Sequence, residues 1–356
     1  MQLTRAARAT AGVIAVTMLT VGSVQAAPTA RKRAAVAASY VALKQRDNGS
    51  VPGFSKIGST ADAVLSWVAV ERGRGAIRKA VRYLELHHFE ATSVGLKAKV
   101  VLAAVAAGKD PRSFAGHDLV AEIRATQQAD GRYGATTPVL EHALAVLALQ
   151  AAGEPASPEA SDWLAAAQCP DGGWSYDEPY SPANDDEHCK DTRPGFEDFY
   201  TSDTNTTSYA VQALVVSPGA VAPAGDAFAF FATARDTEFK GGWVYDPLLK
   251  CSAATIGGFC YLTDANSTAL VLQAHAAAGR EIPTGGRRAL ARLQYPLCGQ
   301  NAGAFAFTWE PTEAGRLRRT APDVGATIDA IRGLLLDPLP VAHVAVTRGV
   351  PHPPAC

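Results

Sequence analysis

Two kinds of segment alternate along the chain. Stretches 59–70, 94–108, 141–150, 203–214, 264–275 and 323–336 are apolar on nearly every helical face and rich in alanine. Between them lie amphipathic, more charged stretches at 31–45, 75–88, 117–128, 157–168, 224–235 and 285–294. A helix that is apolar all round must be buried on all sides, whereas an amphipathic one keeps a face in water. Alternation over about twelve helices therefore predicts an inner ring wrapped by an outer ring. Alanine lets inner helices approach closely at little cost in helix propensity. The expected fold class is all-α, a single α/α toroid of about six helical hairpins with six helices in each ring. A linear helical solenoid would show the same alternation and is the competing architecture.

Two inner segments are close copies, 61 positions apart: Asp203-x-Asn205-Thr206-Thr207 and Asp264-x-Asn266-Ser267-Thr268. Asp, Asn, Ser and Thr at a helix start satisfy free N–H groups, each cap contributing about 1 kcal/mol. The same residues would also form a polar ring if the inner helices open at one mouth of a toroid. The candidate ligand-binding residues are therefore Glu141, His142, Asp203, Asn205, Asp264 and Asn266, with Trp174 and Trp243 beside them. Both tryptophans follow a Gly-Gly pair that closes an outer helix, Gly172-Gly173 and Gly241-Gly242. Glycine there permits a left-handed exit from the helix.

The string Gln168-x-x-Asp171-Gly172-Gly173-Trp174 resembles the repeat of the prenyltransferase and squalene-oxidase family, which includes terpenoid cyclases and protein prenyltransferases. The resemblance extends over residues 35–336, most strongly over 160–280, and implies the α/α toroid. Its chemistry transfers poorly. The cyclase general acid lies in an Asp-x-Asp-Asp-Thr-Ala motif, and this chain reads Asp264-Ala265-Asn266-Ser267-Thr268-Ala269 in that register. An amide does not protonate an alkene. The prenyltransferase zinc ligands are an Asp-x-Cys pair and a His. Here Asp203-x-Asn205 keeps one of them, and zinc needs about four donors. No metal site and no cofactor are expected.

Arg5 and Arg8, an apolar run over 11–21 and Val24-Gln25-Ala26 form the tripartite pattern of a secretory leader, cut after Ala26. The domain organisation expected is a leader at 1–26, the toroid at 27–340 with lid-like inserts at 175–202 and 246–263, and a tail at 341–356. Export places the six cysteines in an oxidising setting. Proximity pairs Cys169 with Cys189 and Cys251 with Cys260, leaving Cys298 for Cys356, one of fifteen connectivities. Formal charge is −1 for 33 Lys+Arg against 34 Asp+Glu, and −3 once the leader's two arginines are removed. That balance provides no basic excess for nucleic acid. The leader's apolar run is too short to span a membrane.

Function is accordingly expected as an exported, monomeric toroid that binds a small apolar, isoprenoid-like ligand in its central cavity. The alternatives are a polysaccharide lyase or glycosidase on the same scaffold, or a non-catalytic surface interaction module.

Overall fold

The computed structural model describes residues 28–135, 138–176, 189, 201–217, 219, 222–352 and 356. The leader expected at 1–26 and nearly all of the acidic insert expected at 175–202 lie outside the described residues. Six apolar helices are α2 (Lys56–Ala69), α4 (Val94–Ala106), α6 (Val139–Ala151), α8 (Thr204–Val216), α10 (Ala265–Ala277) and α12 (Val324–Leu335). Each contacts the next, and α12 contacts α2. That last contact closes a ring, which a linear solenoid lacks. Ser66 Oγ of α2 fastens it by donating to Ile328 O of α12 at 2.8 Å.

Among the described residues six further helices pack outside: α1 (Pro28–Lys44), α3 (Arg74–His87), α5 (Leu119–Arg124), α7 (Pro158–Ala166), α9 (Ala227–Thr233) and α11 (Gly286–Arg292). Helix α1 lies against α12, so the first helix fills the last outer position. Several outer helices are shorter than the amphipathic stretches because the glutamines at their ends serve the following turn instead. Gln127, Gln168 and Gln294 each donate Nε2 to the carbonyl of a glycine in that turn and to a group on the neighbouring outer segment. The turn needs glycine. Gly172 has φ +88°, and a Cβ there would lie 2.7 Å from Asp226 O.

The all-α expectation is corrected in detail. Among the described residues, three two-stranded antiparallel pairs accompany the helices: β1 (Trp174–Ser175) with β2 (Ser202–Asp203), β3 (Phe305–Ala306) with β6 (Pro322–Asp323), and β4 (Trp309–Pro311) with β5 (Leu317–Arg319). The first two arise where the chain entering an inner helix pairs with the turn leaving the preceding outer helix. Runs of two or three residues are too short to show an alternating pattern.

The three disulfides pair as expected: Cys169–Cys189, Cys251–Cys260 and Cys298–Cys356. They point to an oxidising, extracytoplasmic compartment. Among the described residues no helix is long and apolar enough to cross a membrane. Beyond α12 the tail crosses the C-terminal ends of the inner helices. Leu339 N donates to Gln212 Oε1 of α8 at 2.8 Å, and His343 Nδ1 donates to Ala106 O of α4 at 3.0 Å. Arg348 O then receives Gly73 N and Arg74 N, and Ser39 Oγ donates to Pro351 O. A strap thus lies over one mouth of the ring, and the inner-helix N-termini surround the other.

Candidate functional site

The last three repeats enter their inner helices by the same device. Asp203, Asp264 and Asp323 are the N-caps of α8, α10 and α12, accepting from backbone N–H groups two or three residues on. The threonine four residues after each cap accepts from the backbone of the preceding turn: Trp174 N to Thr207, Trp243 N to Thr268 and Phe305 N to Thr327, at 2.9 to 3.0 Å. In α6 a histidine does the same work. Tyr133 N donates to His142 Nδ1 at 3.1 Å, so Nε2 carries the proton and donates to Ala160 O at 2.9 Å. Burial pushes His142 down to about 4, which keeps the ring neutral.

The repeated motif therefore divides into parts with different roles. Its Asp caps the helix and its Thr locks the incoming turn. In the α10 copy only the Asn between them reaches the cavity. Asn266 lines a cavity of about 380 Å³ at the N-terminal mouth, together with residues of α2, α4, α6 and α12. Asn205 accepts from Ser267 Oγ at 3.0 Å, tying α8 to α10 beside it. Asp203 and Asp264 sit behind the mouth and are almost completely buried. Burial raises each carboxyl to about 7, although backbone N–H groups pull the other way, and Oδ2 of each has no hydrogen-bond partner. Trp174 and Trp243 lie further out, their Nε1 groups donating to Leu164 O and Phe231 O at the ends of outer helices.

Glu141 also lines the cavity, but its oxygens are engaged with the start of the preceding inner helix, α4, accepting from Ser93 Oγ at 3.0 Å and Gly95 N at 3.1 Å. A Cβ at Gly95 would lie 2.5 Å from Glu141 Cγ, so the glycine makes room for this cross-helix cap.

Four further residues at the mouth escaped the sequence reading. Lys99 Nζ bonds Asp62 Oδ2 at 2.6 Å, and Asn266 Nδ2 donates to Asp329 Oδ2 at 2.8 Å. Burial works against the Lys99 ammonium, but the neighbouring Asp62 carboxylate outweighs it and holds the amine above its ordinary value. Burial and then Asp62 push Asp329 up to about 6. One turn deeper on α12, Arg332 is fully buried. Its Nη2 lies 3.9 Å from Asp329 Oδ1, and none of its three nitrogens has a hydrogen-bond acceptor among the described residues. Asn266 Oδ1 is likewise buried and unbonded. Tyr209 of α8 belongs to the same interior, its hydroxyl pushed up to about 12 by burial. A usable signal existed: Asp62, Lys99, Asp329 and Arg332 are charges set inside otherwise apolar helices, an arrangement that is costly unless the charge is paired.

The apolar part of the lining comes from Leu96, Leu140, Leu144, Ile328 and the fully exposed Phe54, and Ser55, Ser59 and Ser93 add hydroxyls. The second insert, 246–263, is held to the outer ring, Lys250 Nζ donating to Thr233 O at the end of α9 and to Arg235 O just past it.

No protein-family model and no curated protein matches the chain. Solved structures do. A protein from Actinoplanes is 17% identical over 86% of this chain and 99% of its own, with a TM-score of 0.52. The ligand-free type II terpene cyclase MstE from Scytonema is 12% identical over 86% of this chain and 97% of its own, with a TM-score of 0.54. An unsaturated glucuronyl hydrolase specific for heparin is 11% identical over 86% and 95%, with a TM-score of 0.56. The chain thus has the terpenoid-cyclase-like α/α-toroid fold, which glycan-degrading enzymes also use. Identities this low speak for the fold alone.

Proposed function

We propose that this is an exported toroid of six helical hairpins, the last completed by α1, which binds a small amphipathic ligand at the N-terminal mouth. The isoprenoid-like body of the ligand lies against Leu96, Leu144 and Ile328, and a hydroxyl or similar oxygen lies at the Asn266–Asp329 pair. The observation that carries this reading is the unbonded Asn266 Oδ1, with the unbonded Arg332 guanidinium one turn beneath, next to a partly apolar cavity. Buried polar groups are normally satisfied, and an acceptor and donors left open beside a cavity are suited to recognising a polar ligand atom.

Native mass spectrometry of the purified chain with geranylgeraniol tests it. Wild type is expected to retain the alcohol. Asn266→Ala and the cavity-filling Leu96→Trp are expected to lose it while melting within a few degrees of wild type. Retention by both variants would sink the reading.

A second reading has one specific observation in its favour. Asp329, raised to about 6, stands near the Asp62 carboxylate, which is bonded to Lys99 Nζ. A pair of neighbouring carboxyl groups, one of them with a raised proton affinity, is what a glycoside hydrolase needs. Hydrolysis of an oligosaccharide panel, lost in Asp329→Asn and in Asp62→Asn, would favour it over the isoprenoid reading.

A further inference from the structure

The outer helix α3 carries Arg74, Arg78 and Arg82 at intervals of four, which places them in one row on one face. All three are exposed, and none forms a salt bridge among the described residues. Leu86 continues the row and is 58% exposed, and Phe89, in the 3-10 turn His88–Glu90 that follows, is 67% exposed. Beside the row runs a groove of about 520 Å³ between α3 and tail residues 343–347. Its lining is apolar at Val68, Ile77, Val81 and Val346, and cationic at the three arginines and Lys109. Glu85 is the one acid in that lining, and it lies 3.6 Å from Lys109. The tail wall is pinned from both ends, by His343 on Ala106 O and by Arg348 O on Gly73 N and Arg74 N. Across the tail the basic character continues, with Lys32, Arg72 and Arg348 lining a second groove.

We propose that this α3–tail edge docks on an anionic lipid surface. The arginine row meets the headgroup phosphates, Leu86 and Phe89 enter the interface, and an acyl chain lies in the groove. Charge complementarity selects the partner. An unpaired cationic row over an apolar slot matches a molecule that is anionic at one end and hydrocarbon at the other, and arginine suits phosphate because its planar fork binds two oxygens at once. A soluble polyanion would use the row but leave the slot and the two exposed apolar side chains without a role. Surface-bound helices with a cationic polar face and large apolar residues behave in this way, each basic residue adding to the attraction by an anionic leaflet. The groove lies against the tail that crosses the C-terminal ends of the inner helices, and its lining shares no residue with that of the N-terminal cavity.

Vesicle co-sedimentation with the full chain tests the proposal. Wild type is expected to pellet with phosphatidylglycerol-containing vesicles at low salt, to stay in solution with pure phosphatidylcholine, and to be partly released at high salt. Replacing the row (Arg74→Glu, Arg78→Glu, Arg82→Glu) should weaken binding by at least about a hundredfold. The Leu86→Ser, Phe89→Ser pair should weaken binding also at high salt, where charge alone does not act. Circular dichroism and melting confirm that both variants fold. The proposal is overturned if wild type ignores anionic vesicles, if the charge-reversed chain binds them as wild type does, or if heparin or an acidic peptide binds the row while vesicles do not.

Discussion

Gln294 donates Nε2 to Arg33 O at 3.0 Å and accepts Arg33 Nη1 on Oε1 at 3.0 Å, joining positions 261 apart in the chain. Its Nε2 also reaches Gly303 O at 3.1 Å, the glycine turn of its own repeat. Gln168 makes the equivalent bonds to Gly172 and Gly225 within the middle of the chain. One residue type thus links successive repeats and, at the last of them, links the end of the toroid to its beginning.

Gln294→Ala removes three hydrogen bonds at about 1 kcal/mol each, so a loss of about 3 kcal/mol is expected in urea unfolding. Hydrogen exchange should locate the loosening at α1 rather than in the middle repeats. An effect no larger than that of an exposed substitution would reject the closure role.

Asp203 and Asp264 should make stability depend on pH in an unusual direction. Each folded value, about 7, lies above the unfolded value of 3.8, so the native state holds these protons longer. Their cost is absent below about pH 3.8 and grows until about pH 7, reaching about 4 kcal/mol for each group. Asn caps a helix as well as Asp does. Asp203→Asn is therefore expected to gain on wild type by about 4 kcal/mol between about pH 4 and pH 8, as read by denaturation at several pH values. A difference independent of pH would contradict the burial argument.

His142 acts in the opposite sense. Its folded value of about 4 lies below the ordinary 6.5, so the unfolded chain takes the proton first. The stability this adds is complete above about pH 6.5 and lost as pH falls to about 4, amounting to about 3 kcal/mol. Nitrogen-15 spectra should show a neutral ring protonated at Nε2 throughout that range. A ring titrating near 6.5 would mean that the turn at Tyr133 is not locked to it.

Removing the Cys298–Cys356 bridge by Cys298→Ser, Cys356→Ser opens a loop with a separation of 58 residues, a loss of about 4 kcal/mol in the chain-entropy picture. Exchange protection should fall at Leu339 and His343, where the strap crosses α8 and α4. Unchanged protection there would show that the strap holds without its anchor.

The alternation of apolar and amphipathic helices, the cap residues and the cysteine pairs were all legible in the amino-acid order, because each rests on local rules: a periodicity, a first-turn hydrogen bond, a nearness along the chain. The mouth was legible only in part. Glu141, Asn205 and Asn266 were readable as polar residues near helix starts. Asp62, Lys99, Asp329 and Arg332 belong to three helices whose adjacency follows from ring closure. Trp174, Trp243 and His142 looked like site residues because aromatic and titratable side chains are the usual signals of chemistry. Their positions behind the inner ring become visible only once the turns are packed.

The sequence by itself determined that this chain makes two classes of helix and two short-range bridges, Cys169–Cys189 and Cys251–Cys260, since burial pattern, capping and short loops act within a few dozen residues. Whether those helices form a line or a ring, which residue of the repeated motif reaches the cavity, and which charges meet at the mouth were decided only by the tertiary structure. Each depends on contacts such as Ser66 to Ile328 and Gln294 to Arg33, between residues more than 250 positions apart.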